Sequence, residues 1–174
     1  MNLVELARKS VESYINEGKI ISSPVDSPKE FSERKAGAFV TIEKEGQLRG
    51  CIGTYLPTRK NIIEEVINNA VAAATEDYRF DPIGKEELPY LSYTVYILNE
   101  PEMAKNTKDL DPKKYGIIIK TVDCFPPKSA LLLPDLDGVD TTDEQISIVC
   151  RKGGINPEKE KITIYRFTVE KYGE

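Results

Sequence analysis

The stretch that most constrains the fold runs from residue 38 to residue 75. Residues 38–44 (AFVTIEK) alternate apolar and polar positions, Glu45-Gly46 suits a tight turn, and residues 47–55 continue in extended pattern. Two such runs joined by so short a turn predict an antiparallel hairpin. Pro57 ends its second strand. Residues 60–75 place Ile62, Val66, Ala70 and Ala73 on one stripe beside Ile63, Ile67 and Ala74. That spacing predicts a helix, and its alanines suit close packing on a sheet.

The remaining elements follow from period and punctuation. Leu3, Ala7, Val11 and Tyr14 or Ile15 fall at helical spacing over residues 2–17, with Gly18 as C-cap. Pro24 and Pro28 mark a loop. Strands are predicted over 91–98, 116–122, 129–133 and about 162–169, with a turn at Pro126-Pro127. Thr142 and Gln145 offer a capping box for a short helix ending at Gly153-Gly154. Strands interspersed with three helices and joined mainly by hairpin-length turns indicate an α+β fold. We expect a mainly antiparallel sheet with flanking helices, two lobes sharing a core, and one domain over residues 1–174.

Composition narrows the chemistry. There is no histidine among the 174 residues. Ser-His-Asp and Cys-His catalysis are therefore excluded, as is the commonest transition-metal ligand. Cys51, Cys124 and Cys150 are far apart and odd in number, which fits a reduced thiol protein better than a disulfide framework. Asp135, Asp137, Asp140 and Asp143 miss the EF-hand spacing, and Gly50 and Gly53 lack the Gly-Lys-Ser/Thr ending of a phosphate loop. We expect neither metal nor cofactor. The net charge of −5, spread along the chain, weighs against nucleic acid as a partner. No run approaches the roughly 18 apolar residues of a membrane span, and the N-terminus lacks a signal-peptide pattern. The expected location is cytoplasmic.

Leu48-Arg49-Gly50-Cys51-Ile52-Gly53-Thr54 concentrates the candidate chemistry. In an extended strand, Leu48, Gly50, Ile52 and Thr54 face one way, and Arg49, Cys51, Gly53 and Tyr55 the other. Cys51 then sits near a cation, which favours the thiolate. Glycine inside a strand often marks a close approach to the backbone. The pattern leaves two readings open: a small buried filler, or a functional thiol with Cys51 as nucleophile. Arg79, in the loop after the alanine-rich helix, is suited to a carboxylate or phosphate ligand, or to an ion pair with Glu76, Asp77 or Asp81. Cys150 shares a helical face with Ile146 and Val149 and reads as core. Lys152 suits the end of its helix.

The same segment resembles the hallmark of the AMMECR-type domain family, known in many prokaryotes as AmmeMemoRadiSam system protein A. The resemblance extends through Gly37-Ala38-Phe39-Val40-Thr41, Ala70 to Ala74, Asp77-Tyr78-Arg79-Phe80-Asp81-Pro82 and Glu87-Leu88-Pro89. It continues through Leu131 to Pro134, Arg151-Lys152-Gly153-Gly154 and Tyr165-Arg166-Phe167. Gly153 departs from it, because the family more often carries alanine there. The resemblance implies a compact two-lobed α+β protein associated with a MEMO-type protein and a radical SAM protein. On this basis we expect a ligand-binding accessory component of a modification system. Arg49, Gly50, Gly53, Thr54 and Arg79 would receive a small molecule or peptide; the alternative is an enzyme using Cys51 as a nucleophile.

Overall fold

The computed structural model describes residues 2–173. Two antiparallel sheets form in two compact units, the first made by the chain up to Leu98 and again from Glu170, the second by Asn99–Val169.

In the first unit, α1 (Leu3–Glu17) starts at an Asn2 capping box and ends at left-handed Gly18. A four-residue helix, α2 (Lys29–Ser32), interrupts the loop expected there. The hairpin forms as β1 (Ala38–Lys44) and β2 (Gln47–Gly53), with positive φ at both Glu45 and Gly46. That geometry matches the twist of the flanking strands. The alanine-rich segment forms α3 (Ile62–Thr75), capped by Asn61. A 3₁₀ turn, Lys85–Tyr90, leads into β3 (Leu91–Leu98).

Alternation along the strands places Ala38, Val40 and Ile42 of β1 with Leu91, Tyr93, Val95 and Ile97 of β3 in one core. Leu3, Leu6, Ala7 and Val11 of α1, and Ile62, Val66, Ala70 and Ala73 of α3, complete it. Burial of these side chains stabilises the unit by roughly 25 cal/mol per Å² of apolar surface removed from water.

The second unit contains β4 (Glu102–Met103), β5 (Gly116–Thr121), β6 (Ser129–Leu132), α4 (Thr142–Gly153) and β7 (Ile162–Phe167). Ile117 and Ile119 pack with Val149, Cys150 and Ile155. The α4 capping box is Thr141 with Glu144, one residue earlier than the sequence suggested, and its C-cap is left-handed Gly154. Lys152 lies in its last turn and reaches the Leu131 carbonyl at 3.2 Å.

The single last strand expected over 162–169 is two: β7, and β8 (Val169–Gly173), which returns to the first sheet beside β3. Thr168 separates them. Its carbonyl accepts from the Asn99 amide at 3.0 Å, and its hydroxyl accepts from the Asn99 side chain at 2.9 Å. Among the described residues no helix is long and apolar enough to cross a membrane.

Candidate functional site

Strand β2 is not a regular strand. Ile42 pairs with Gly50 and Glu43 with Leu48, so Arg49 is the extra residue of a β-bulge. The bulge reverses the facing of everything before it. Leu48, expected on the core face with Gly50 and Ile52, is instead 41% exposed. Beyond the bulge the expected alternation holds. Gly50 is buried, Ile52 packs on the core, and half-buried Cys51 pairs across the sheet with Thr41. The Thr41 hydroxyl and the Cys51 thiol lie 3.3 Å apart.

The two glycines have separate steric causes. A Cβ at Gly50 would collide with the Ala73 carbonyl, so Gly50 lets α3 settle against the strand. A Cβ at Gly53 would collide with the Ala38 carbonyl and the Phe39 ring, which lies against the Gly53 backbone. Both are close approaches of protein to protein.

Asp77 ties Cys51 to the loop after α3. Its carboxylate accepts from the Cys51 amide at 2.9 Å. It also takes Nε and Nη2 of Arg79 at 2.9 and 2.7 Å, a bidentate pair. The Asp77 side chain is 4% exposed and that of Arg79 is 42% exposed. The Arg79 guanidinium, ahead of the Cys51 and Arg79 amides, holds the Asp77 carboxyl at about 2 against the opposing effect of burial. In turn the Asp77 carboxylate, against the opposing effect of burial, raises Arg79 above its ordinary value, with Cys51 and Tyr78 adding less. Of the three ion-pair partners open for Arg79, the fold selects Asp77.

Arg49 is held in the same manner by a different acid. Its Nε and Nη2 donate to Glu87 at 3.0 and 2.9 Å, and Nη1 donates to the Asp81 carbonyl at 2.8 Å. Glu87 also accepts from the Gly84 amide and Lys44, each at 3.0 Å. Arg49 foremost, then Gly84 and Lys44, keeps the Glu87 carboxyl at about 2 despite burial. Phe80 brings the two clamps together, with Arg79 5.5 Å and Arg49 6.0 Å from its ring centroid. Tyr78 projects beside them, 95% exposed.

Thr54 is engaged elsewhere. Its hydroxyl donates to Glu65 at 2.6 Å and accepts from Asn69 at 3.4 Å. Glu65, 1% exposed, also takes the Thr58 amide and hydroxyl and the Arg59 amide, each at 2.8 Å. It fixes the segment between β2 and α3.

The fold therefore gathers Cys51, Thr41, Arg79, Phe80 and Arg49 around two buried-side carboxylates and leaves Gly50, Gly53 and Thr54 as packing and anchoring positions. Asp77 stood in the sequence as one of three acids open to Arg79 and Glu87 only as part of the family resemblance, while Glu65 was one of several acids on its helix. What could have flagged Glu65 is its place on the apolar stripe beside Ile62 and Asn69. The other thiols are committed: burial pushes the Cys150 thiol up, and a 2.9 Å hydrogen bond to Glu160 does so for Cys124. Among the described residues no cluster of acids and cysteines could hold a metal ion.

An α+β protein with this clamped bulge strand matches known sequences along its whole length. The chain belongs to the AMMECR1 family, whose profile matches residues 4–172. It is similar to a Thermotoga maritima protein, 46% identical over 170 residues that cover 97% of this chain and 95% of that protein. A Clostridium acetobutylicum protein is 42% identical across 98% of this chain, which spans 36% of that longer protein. The crystal structure of an uncharacterised Pyrococcus horikoshii protein matches with a TM-score of 0.90 at 32% identity, covering 99% of this chain and 89% of that one.

Proposed function

We propose that this protein is a ligand-binding accessory component of the AmmeMemoRadiSam system, working in the cytoplasm beside a MEMO-type protein and a radical SAM protein. Its ligand, a small molecule or peptide, is received at Cys51, with Thr41 beside the thiol and Arg79 and Phe80 on the loop that Asp77 ties to the Cys51 amide. The observation that carries this reading is the use Asp77 makes of its carboxylate. Both oxygens are spent on the Cys51 amide and the Arg79 guanidinium, so the acid fixes a shape. A carboxyl held at about 2 accepts a thiol proton poorly near neutral pH, and Glu87 is held equally low. Preorganised donors around a half-buried thiol suit recognition.

A second reading, Cys51 as a covalent nucleophile, draws on one observation: one Asp77 oxygen holds both the Cys51 amide and the Arg79 guanidinium, which brings a cation to the cysteine's side of the strand. Two measurements separate the readings. Anaerobic capture of the tagged protein from its own cells should recover the MEMO-type and radical SAM proteins, and Cys51→Ser should still recover them. Recovery of neither contradicts the accessory reading. The nucleophile reading requires alkylation of Cys51 well ahead of Cys124 and Cys150, and loss of cellular function in Cys51→Ser with the complex intact.

A further inference from the structure

A groove of about 270 Å³ lies on the outer side of α3 in the first unit. Its apolar part comes from Ile67, 2% exposed at the edge of the core, and from Ile21, which packs on the same core. Glu64 and Asn68 join Ile67 on one helical face through their three- and four-residue spacing. Ser22 and Ser23, from the segment after α1, and Arg59 complete the lining.

Two opposite charges share this groove without neutralising each other. The Arg59 backbone is fixed, because its amide donates to buried Glu65 at 2.8 Å. Among the described residues its guanidinium makes no hydrogen bond, ion pair or ring contact. Glu64 stands in the first turn of α3, and its carboxylate takes only a long 3.4 Å contact from the Lys60 amide. Elsewhere in this unit the partly buried arginines beside acids close into 2.7–2.9 Å pairs. Here the exposed Arg59 and the half-buried Glu64 both line the groove, with partly buried Ile21 beside them and the edge of Ile67 beneath.

We propose that this groove binds a zwitterion, a free α-amino acid with a branched apolar side chain. Arg59 takes the carboxylate, Glu64 takes the ammonium, and Ile21, backed by the edge of Ile67, takes the side chain. Arg59 suits this because a guanidinium meets a carboxylate through two parallel hydrogen bonds. The volume, below the range of drug-sized pockets, suits a ligand of that size. The site is separate from the Cys51 reading and stands or falls independently of the partner complex.

The test is a titration of the full ¹⁵N-labelled chain with L-leucine. Saturable amide shifts are expected at Ser22, Ser23, Arg59 and Asn68. Arg59→Gln and Glu64→Gln, both outside the core and expected to melt like the parent, should each weaken binding about tenfold or more. Isoamylamine, lacking the carboxylate, and 4-methylpentanoate, lacking the ammonium, should lose as much. Shifts that stay linear to on the order of tens of millimolar overturn the proposal. So does 4-methylpentanoate binding as well as leucine, which would make the groove a simple anion site.

Discussion

Asp77 is the residue on which the Cys51 region turns, since one buried carboxylate holds a strand amide and a loop arginine at once. Its carboxyl sits at about 2 against an ordinary 3.8, which corresponds to about 2 kcal/mol of stabilisation. Because the folded value is the lower one, this stabilisation is complete above about pH 4 and disappears as pH falls through about 2. Glu87, lowered from 4.5 to about 2, acts in the same direction. Urea midpoints measured across that range should fall steeply in the parent chain and less in Asp77→Asn, which starts about 2 kcal/mol less stable. A parallel fall in both would contradict the assignment. Gly50→Ala should cost about 3 kcal/mol by the same assay, because the added methyl meets the rigid Ala73 backbone. The glycines flanking Cys51 were legible as close approaches, but what approaches them was not. Ala73 and Phe39 come from other elements, and strand alternation carries no information about which partner fills the space.

At the scale of elements, periodicity did its work wherever one face is buried: β1 and β3 match their expected bounds, and α1 and α3 fall within about one turn of theirs. Two features escaped it. The bulge at Arg49 adds a residue with no compositional mark, and it turned Leu48 to solvent. At α4, both Thr141-x-x-Glu144 and Thr142-x-x-Gln145 fit a capping box. The first forms because Gln145 is fully buried and its amide donates to the Tyr115 carbonyl at 2.8 Å, leaving it unable to reach back. Thr141→Ala should therefore lower stability by about 1 kcal/mol, and Thr142→Ala by a few tenths, roughly, in thermal melts. Equal effects would place the cap elsewhere.

For the whole molecule, the element pattern and the family resemblance gave the α+β class shown by the fold and its solved relative, but they led to one mainly antiparallel sheet where the strands divide into two four-stranded sheets. The return of β8 to the first sheet was hidden, because the expected strand ran unbroken over about 162–169 and the Thr168 contacts that divide it come from Asn99, a residue distant in sequence. β8 brings Glu170 to Arg34 at 2.7 Å and Tyr172 edge-on to Phe31 at 5.8 Å. A chain ending at Val169 should show faster hydrogen exchange in β3 than in β5, and unchanged β3 protection would deny β8 a stabilising role.

The feature that opened the functional question, the Cys51 strand, is now a bulged, acid-clamped edge carrying a half-buried thiol. The most direct test of its role is the rate of iodoacetamide labelling at each cysteine, before and after adding purified MEMO-type and radical SAM proteins without oxygen. Labelling of Cys51 should slow about tenfold in the complex while Cys124 is unchanged. A complex in which Cys51 labels at its free rate, or no complex at all, would contradict the assignment of this face as the working surface.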